Sequence, residues 1–187
     1  MERADYFYFI VDVSGSMRGR KIGAVNDTLN NIIYRLRRFA GNRNVTVKII
    51  MQTYADRPSW SNYIPVDAAS FVFSDLQPEG EASDLGKALM ELDQKLFRQG
   101  DTDPEKGKST TIIFFTDGLS TDDIQAAADT LAKNEIFRNS NRIGITFNDE
   151  LSRDIAEENL SLLVNGSGNI IADDFVRLNE IIFEKYK

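Results

Sequence analysis

The sequence predicts an α/β fold: a Rossmann-like three-layer sandwich with a mainly parallel central sheet, one antiparallel edge strand and helices on both faces. Strand and helix signals alternate along all 187 residues, which is typical of a parallel sheet built from successive strand–helix units. The first strand signal, residues 6–13, is apolar and aromatic except at Asp12, as expected of a strand covered on both faces. No internal repeat or long linker interrupts the alternation, so residues 1–187 are predicted to form a single domain.

The first half of the chain supplies three strand signals and one long helix signal. Apolar residues recur at steps of three and four over residues 21–39, which predicts the first helix. Residues 45–53 are predicted to form the second strand. Residues 60–64 are predicted to form an edge strand, antiparallel to its neighbour because the connection before it is short.

The second half continues the alternation. Leucines at helical spacing predict a helix that begins after the loop at residues 76–84 and ends near Phe97. Residues 111–116 are predicted to form a strand, and residues 120–137 a helix capped by Ser120 or Thr121. The remaining predicted elements are a strand over residues 142–147, a helix over 149–164, a strand over 168–172 and a closing helix over 175–186.

The composition excludes several kinds of site. The chain contains no cysteine and no histidine, which excludes disulfides, thiolate nucleophiles, Ser-His-Asp triads and histidine-ligated zinc. Any bound metal must therefore have oxygen ligands. The net charge of -7 argues against nucleic acid and anionic membranes as partners, since both require clustered positive charge. No stretch approaches the ~18 apolar residues needed to span a bilayer, and the N-terminus does not resemble a signal peptide, so we expect a cytoplasmic protein.

Two predicted strands end in aspartate, and the first is followed by two serines. Residues i, i+2 and i+4 of a strand share one side, so Asp12, Ser14 and Ser16 can converge where the strand opens into a loop. Asp117 follows a second strand, and the carboxyl ends of parallel strands meet at one edge of the sheet. Two carboxylates there repel each other unless a positive group lies between them, and a hard divalent cation would satisfy both.

These motifs carry a family resemblance. The Asp12-x-Ser14-x-Ser16 motif, the later "SDLG" and the "TDG" turn resemble, in order and spacing, the metal-ion-dependent adhesion site (MIDAS) of von Willebrand factor A (VWA) domains. The segments "DVSGSMRG", "AVN" and "TDGLSTDD" are most similar to the bacterial TerY-like branch, which is linked to tellurium resistance. The resemblance implies a VWA fold and a bound Mg²⁺, with Mn²⁺ or Ca²⁺ as alternatives. The ligands that it implies are Asp12, Ser14, Ser16, Ser83 and Asp117.

The middle ligand departs from the family pattern. The family normally has threonine where this chain has Ser83, and Glu79, Glu81 and Asp84 lie near enough in sequence to compete for the role. An equal alternative for Ser83, compatible with a ligand role, is the N-cap of the helix that follows.

The resemblance also implies a function. The open position of the cation would accept a glutamate or aspartate of another protein, so the chain would be a metal-dependent protein-binding module, monomeric alone and not an enzyme. It would act in stress-response or tellurium-resistance complexes. Two alternatives stay open: a metal-assisted hydrolase such as a phosphatase, and a cation that only staples the loops together. Arg18, Arg20 and Lys21 are either a solvated helix start or a support for the acidic partner.

Overall fold

The computed structural model describes residues 3–42, 45–102, 109–147, 153–166, 170–172 and 180–183. Strands and helices alternate along these residues, as predicted. The strands are β1 (Arg3–Asp12), β2 (Val45–Tyr54), β3 (Pro58–Asp67), β4 (Ser109–Thr116), β5 (Asn141–Thr146) and β6 (Ile170–Ala172). The helices are α1 (Arg20–Asn42), α2 (Leu85–Thr102), α3 (Ile124–Leu131), α4 (Glu135–Asn139) and α5 (Arg153–Ser161).

The six strands form one sheet in the order β3-β2-β1-β4-β5-β6. All neighbouring pairs are parallel except β2 and β3, which are antiparallel. This confirms the predicted fold class, including the antiparallel edge strand. β1 lies between β2 and β4 at the centre, so the loops that follow β1 and β4 leave the sheet side by side.

Each face of the sheet supports its own core. Phe7, Phe9 and Val11 of β1 pack on the α1 side, where the apolar stripe of α1 is buried. Tyr8 and Ile10 point to the opposite face and pack with α2 and α3. The alternation of side chains along β1 therefore produces the three layers. None of the helices in the ranges described above is long and apolar enough to cross a membrane.

Several predicted boundaries are wrong. α2 continues past Phe97 to Thr102, so the helix extends beyond its apolar stripe. The predicted helix over residues 120–137 is two helices, since the Asn134 side chain accepts hydrogen bonds from the N–H groups of Ile136 and Phe137 and starts α4. α3 is capped by Asp123, whose carboxylate accepts the N–H of Ala126, and not by Ser120 or Thr121.

The C-terminal third is described only in part. α5 ends at Ser161, before the predicted end at residue 164. Residues 149–152 and 168–169 lie outside the described residues. Of the predicted closing helix, residues 180–183 are helical and the others lie outside the described residues.

Candidate metal centre

Asp12 is the last residue of β1, at the centre of the carboxyl edge of the sheet, and its side chain is fully buried. The N–H of Ser14 donates to Oδ1 at 2.8 Å, as in an Asx turn. The hydroxyls of Ser83 and Thr116 donate to Oδ2 at 2.9 and 3.2 Å. Three segments that are distant in sequence therefore hold one carboxylate.

The two serines of the first motif follow in a tight turn. A 3-10 turn, Gly15–Met17, begins directly after Ser14, and the buried Met17 anchors it in the core. The Ser14 and Ser16 hydroxyl oxygens lie 3.0 Å apart. Ser14 is buried whereas Ser16 is exposed, so the cluster opens to solvent at Ser16.

The middle loop, residues 79–84, brings Ser83 against Asp12. The N–H of Ser83 donates to the Thr121 hydroxyl at 3.1 Å, and its carbonyl oxygen accepts from the N–H of Thr121 at 2.9 Å and the hydroxyl of Ser120 at 3.0 Å. Ser120 and Thr121 thus fix the loop that carries Ser83. Asp56 holds the loop directly before Ser83, because its carboxylate accepts the N–H groups of Glu81 and Ala82.

The hydroxyl of Ser83 does not cap α2. The carboxylate of Asp122 instead accepts the N–H groups of Gly86 and Lys87 in the first turn of α2, each at 2.8 Å. Two of the three competing acids of the middle loop have other contacts. Glu81 pairs with Arg18 at 3.1 Å and Asp84 pairs with Lys87. In the middle loop, the side chain that hydrogen-bonds to Asp12 is Ser83.

Asp117 follows β4 and is fully buried. Its Oδ2 accepts a hydrogen bond from Lys21 Nζ at 2.8 Å, and its Oδ1 accepts from the N–H of Leu119 at 3.3 Å. Gly118 turns the chain here with a φ of 76°, and a Cβ at this position would lie 2.2 Å from the Cα of Ala156. Glycine is therefore required both for the turn and for the approach of α5.

Burial raises the pKa of Asp12 above its ordinary value. Hydrogen bonds from Ser14 and Ser83 oppose that rise in pKa, and the charge of Asp117 adds to it less than burial does. Burial is therefore a larger cause than the carboxylate repulsion expected from the sequence. Tyr54, the register partner of Asp12 on β2, is also buried, and its pKa is raised well above its usual range. No hydrogen bond of normal geometry is found for its hydroxyl among the described residues, although Thr116 and Asp12 lie close enough to affect its pKa.

The donor set fits a hard divalent cation. No group of three or more acidic side chains that could hold a metal ion occurs in the described part of the chain. The oxygen donors beside Asp12 are hydroxyls. A hydroxyl that donates its proton to Asp12 keeps lone pairs for a cation. Adjacent oxygens around octahedral Mg²⁺, each about 2.0–2.1 Å from the ion, lie about 2.9 Å apart. The spacing of 3.0 Å between the Ser14 and Ser16 hydroxyls suits that geometry as well as a direct hydrogen bond.

Sequence reasoning missed two contacts of the cluster. Thr116 donates to Asp12 because β4 lies beside β1 in parallel register. Each of the two is the last residue of its strand, and that shared position could have indicated the contact. Lys21 contacts Asp117 across 96 residues of sequence, and no local signal predicts that pair.

The comparisons with known proteins agree with this architecture. A family model described as von Willebrand factor type A domain matches residues 7–182. No curated protein sequence matches the chain significantly.

Among solved structures, the chain is similar to the pilus adhesin SpaC from Lactobacillus rhamnosus GG, with a TM-score of 0.70 and 15% identity over 100% of this chain and 30% of that one. Proximal thread matrix protein 1 from the mussel byssus, with a zinc-occupied MIDAS motif, has a TM-score of 0.58 and 14% identity over 98% of this chain and 44% of that one. The ArnB paralog VWA2 from Sulfolobus acidocaldarius has a TM-score of 0.56 and 16% identity over 92% of this chain and 42% of that one. The chain thus spans less than half of each relative, and at these identities the likeness concerns the fold.

Proposed function

The chain belongs to the von Willebrand factor type A domain family, and on that premise we propose that it is a metal-dependent protein-binding module. The observation that carries the proposal is the buried Asp12 carboxylate at the carboxyl edge of the sheet, beside a cluster of hydroxyls that opens to solvent at Ser16. We assign the divalent cation to the five residues predicted from the sequence: Asp12, Ser14, Ser16, Ser83 and Asp117.

The chain's own residues define what the site recognises. Ser14 and Ser83 lie inside the cluster, whereas Ser16 lies at its mouth, so an open position of the cation faces solvent. A bound divalent cation supplies a positive charge that coordinates a carboxylate oxygen. Because the chain carries a net charge of -7, an acidic partner is repelled in general and attracted only at that point. The favoured ligand is therefore a glutamate or aspartate on the surface of another protein.

Mg²⁺ is the cation that we favour. The 3.0 Å spacing of the Ser14 and Ser16 hydroxyls suits metal–oxygen distances of about 2.0–2.1 Å, whereas Ca²⁺, at about 2.3–2.6 Å, requires a wider spacing. Mn²⁺ is an alternative. One structural relative is described with zinc in its MIDAS, which supports a divalent-cation site in this fold without selecting Mg²⁺.

We further propose that the chain is a recognition module and not an enzyme, acting as a monomer in the cytoplasm. One structural relative is a pilus adhesin, which is consistent with a binding role. The likeness of "DVSGSMRG" and "TDGLSTDD" to TerY-like sequences supports a place in tellurium-resistance or stress-response complexes. A strain that lacks the gene is then expected to survive tellurite less well, and restoring the wild-type gene but not Asp12→Asn is expected to rescue it.

A capture experiment tests the proposed function. Immobilised wild type, Asp12→Asn and the exposed-site control Asp129→Asn are incubated with native cytosol in Mg²⁺ or in chelator. We expect wild type and Asp129→Asn to retain a set of proteins in Mg²⁺ but not in chelator. Asp12→Asn should not retain that set in either condition. One retained protein is then purified, and replacement of its surface Glu and Asp residues by Gln and Asn should abolish binding at one position. The proposal is contradicted if wild type in chelator and Asp12→Asn in Mg²⁺ capture the same proteins as wild type in Mg²⁺.

A further inference from the structure

Lys21 connects the first and last loops of the candidate metal centre. It is the second residue of α1, and its Nζ lies 2.8 Å from Oδ2 of Asp117, which follows β4. The Asp117 side chain is 0% exposed, whereas 25% of the Lys21 side chain is exposed. The Lys21 ammonium, at the end of a flexible and partly exposed side chain, therefore neutralises the buried Asp117 carboxylate.

The other nearby cations have different partners. Arg18 pairs with Glu81, and Lys87 pairs with Asp84. Among the ion pairs of the described residues, the pair of Lys21 and Asp117 is the one that includes a predicted ligand. The Lys21 ammonium balances one of the two negative charges of Asp12 and Asp117. It therefore lowers the net negative charge of the site that a divalent cation would enter.

We propose that Lys21 is a tethered counter-ion that competes with the divalent cation for Asp117 and thereby lowers the metal affinity of the site. This inference rests on the proposed function, because it needs a cation at the same cluster. An ammonium and a divalent cation a few ångströms apart repel each other, and the two share the oxygens of Asp117. Since part of the Lys21 stem is exposed, the ammonium can move into solvent when the metal enters.

The test compares Lys21→Met with Lys48→Met. Lys48 also pairs with an aspartate at 2.8 Å, and 28% of its side chain is exposed, but its partner Asp67 is half exposed and belongs to the β2–β3 pair. Titration calorimetry with MgCl₂ and MnCl₂ at constant pH and ionic strength measures the affinity. We expect Lys21→Met to bind at least about tenfold more tightly than wild type, and Lys48→Met to bind within about twofold of wild type.

Thermal melts supply a second measurement. In chelator, Lys21→Met should melt below wild type, because Asp117 is left buried without its partner, and saturating metal should remove that difference. Lys21→Gln keeps a hydrogen-bond donor for Asp117 and serves if Lys21→Met does not fold. Its affinity is expected to lie between those of Lys21→Met and wild type.

The outcomes separate the two claims. If wild type binds metal and both Lys21 variants bind it with equal or lower affinity, the competition is overturned and the proposed function is retained. An absence of metal binding in wild type and in every lysine variant overturns the proposed function and the competition with it.

Discussion

Replacing Asp12 by asparagine keeps the size of the side chain and removes one buried negative charge. In the structure Oδ1 accepts the N–H of Ser14, and Oδ2 accepts the hydroxyls of Ser83 and Thr116. An asparagine oriented with its oxygen toward Ser14 keeps the first bond. Its amide nitrogen then faces the two hydroxyls, which can rotate and accept.

The magnitude follows from two opposing contributions. Hydrogen bonds to a charged group contribute about 1.5–3 kcal/mol each and neutral ones about 1 kcal/mol, so the exchange of two bonds costs about 1–4 kcal/mol. Relief of a buried charge without metal offsets this by several kcal/mol. We therefore expect the free energy of unfolding of Asp12→Asn in chelator to equal that of wild type or to exceed it by up to about 2 kcal/mol. That corresponds to a melting temperature about 0–8 °C higher.

Mg²⁺ is expected to raise the melting temperature of wild type but not that of Asp12→Asn. At a concentration of 100 times the Kd, a ligand that binds only the folded state stabilises it by about 2.7 kcal/mol. For a chain of this size the melting temperature of wild type should then rise by about 5–10 °C in Mg²⁺, and that of Asp12→Asn by less than about 1 °C. Differential scanning fluorimetry in Mg²⁺ and in chelator measures both.

The same pair of proteins has a defined pH dependence. Because burial raises the pKa of Asp12 in the folded state, its contribution to stability is fully present below the unfolded pKa and is lost as pH rises through the folded pKa. In chelator, the stability of wild type relative to Asp12→Asn should therefore increase as the pH falls from 7 toward 4. An Asp12→Asn protein that unfolds many degrees below metal-free wild type, or that Mg²⁺ stabilises equally, refutes the assignment of Asp12.

Three further changes test other parts of the site. Ser83→Ala should weaken Mg²⁺ binding while Ser83→Thr retains it, and equal calorimetric affinity of the alanine variant removes Ser83 from the ligand set. Gly118→Ala should destabilise the fold by about 3 kcal/mol or more in urea unfolding, because of its φ of 76° and the 2.2 Å approach of its Cβ to Ala156, and a cost below about 1 kcal/mol contradicts that packing. Tyr54→Phe removes a buried hydroxyl for which no hydrogen bond of normal geometry is found among the described residues, so the free energy of unfolding should stay constant or rise by up to about 1 kcal/mol. A loss above about 1 kcal/mol would show that the hydroxyl bonds to Thr116 or Asp12, which lie close to it.

The sequence was sufficient for features set by local periodicity. Short strand signals, continuously apolar in β1 and β4, predicted β1, β2, β4 and β5, and the helical spacing of apolar residues predicted α1 and the start of α2. The first motif also predicted that Asp12 and Ser14 lie at the carboxyl edge of the sheet, since strand periodicity and parallel topology together determine that position.

Features set by tertiary contacts were not predicted. Ser120 and Thr121 have the composition of a helix cap, but in the structure they bind the middle loop, and Asp122 caps α2 from another segment. The pair of Lys21 and Asp117 likewise depends on where the start of α1 lies relative to the loop that follows β4. A capping side chain can satisfy any nearby N–H group, so its partner depends on packing and not on sequence distance.

The central claim is that one divalent cation binds among Asp12, Ser14, Ser16, Ser83 and Asp117. Anomalous diffraction from a crystal of the wild-type protein soaked in Mn²⁺ tests it most directly. We predict one dominant anomalous peak within about 2.5 Å of the Ser14 and Ser16 hydroxyl oxygens, and no such peak in Asp12→Asn crystals treated in the same way. Saturating Mn²⁺ that produces no peak there, or peaks only at exposed carboxylates, contradicts the claim.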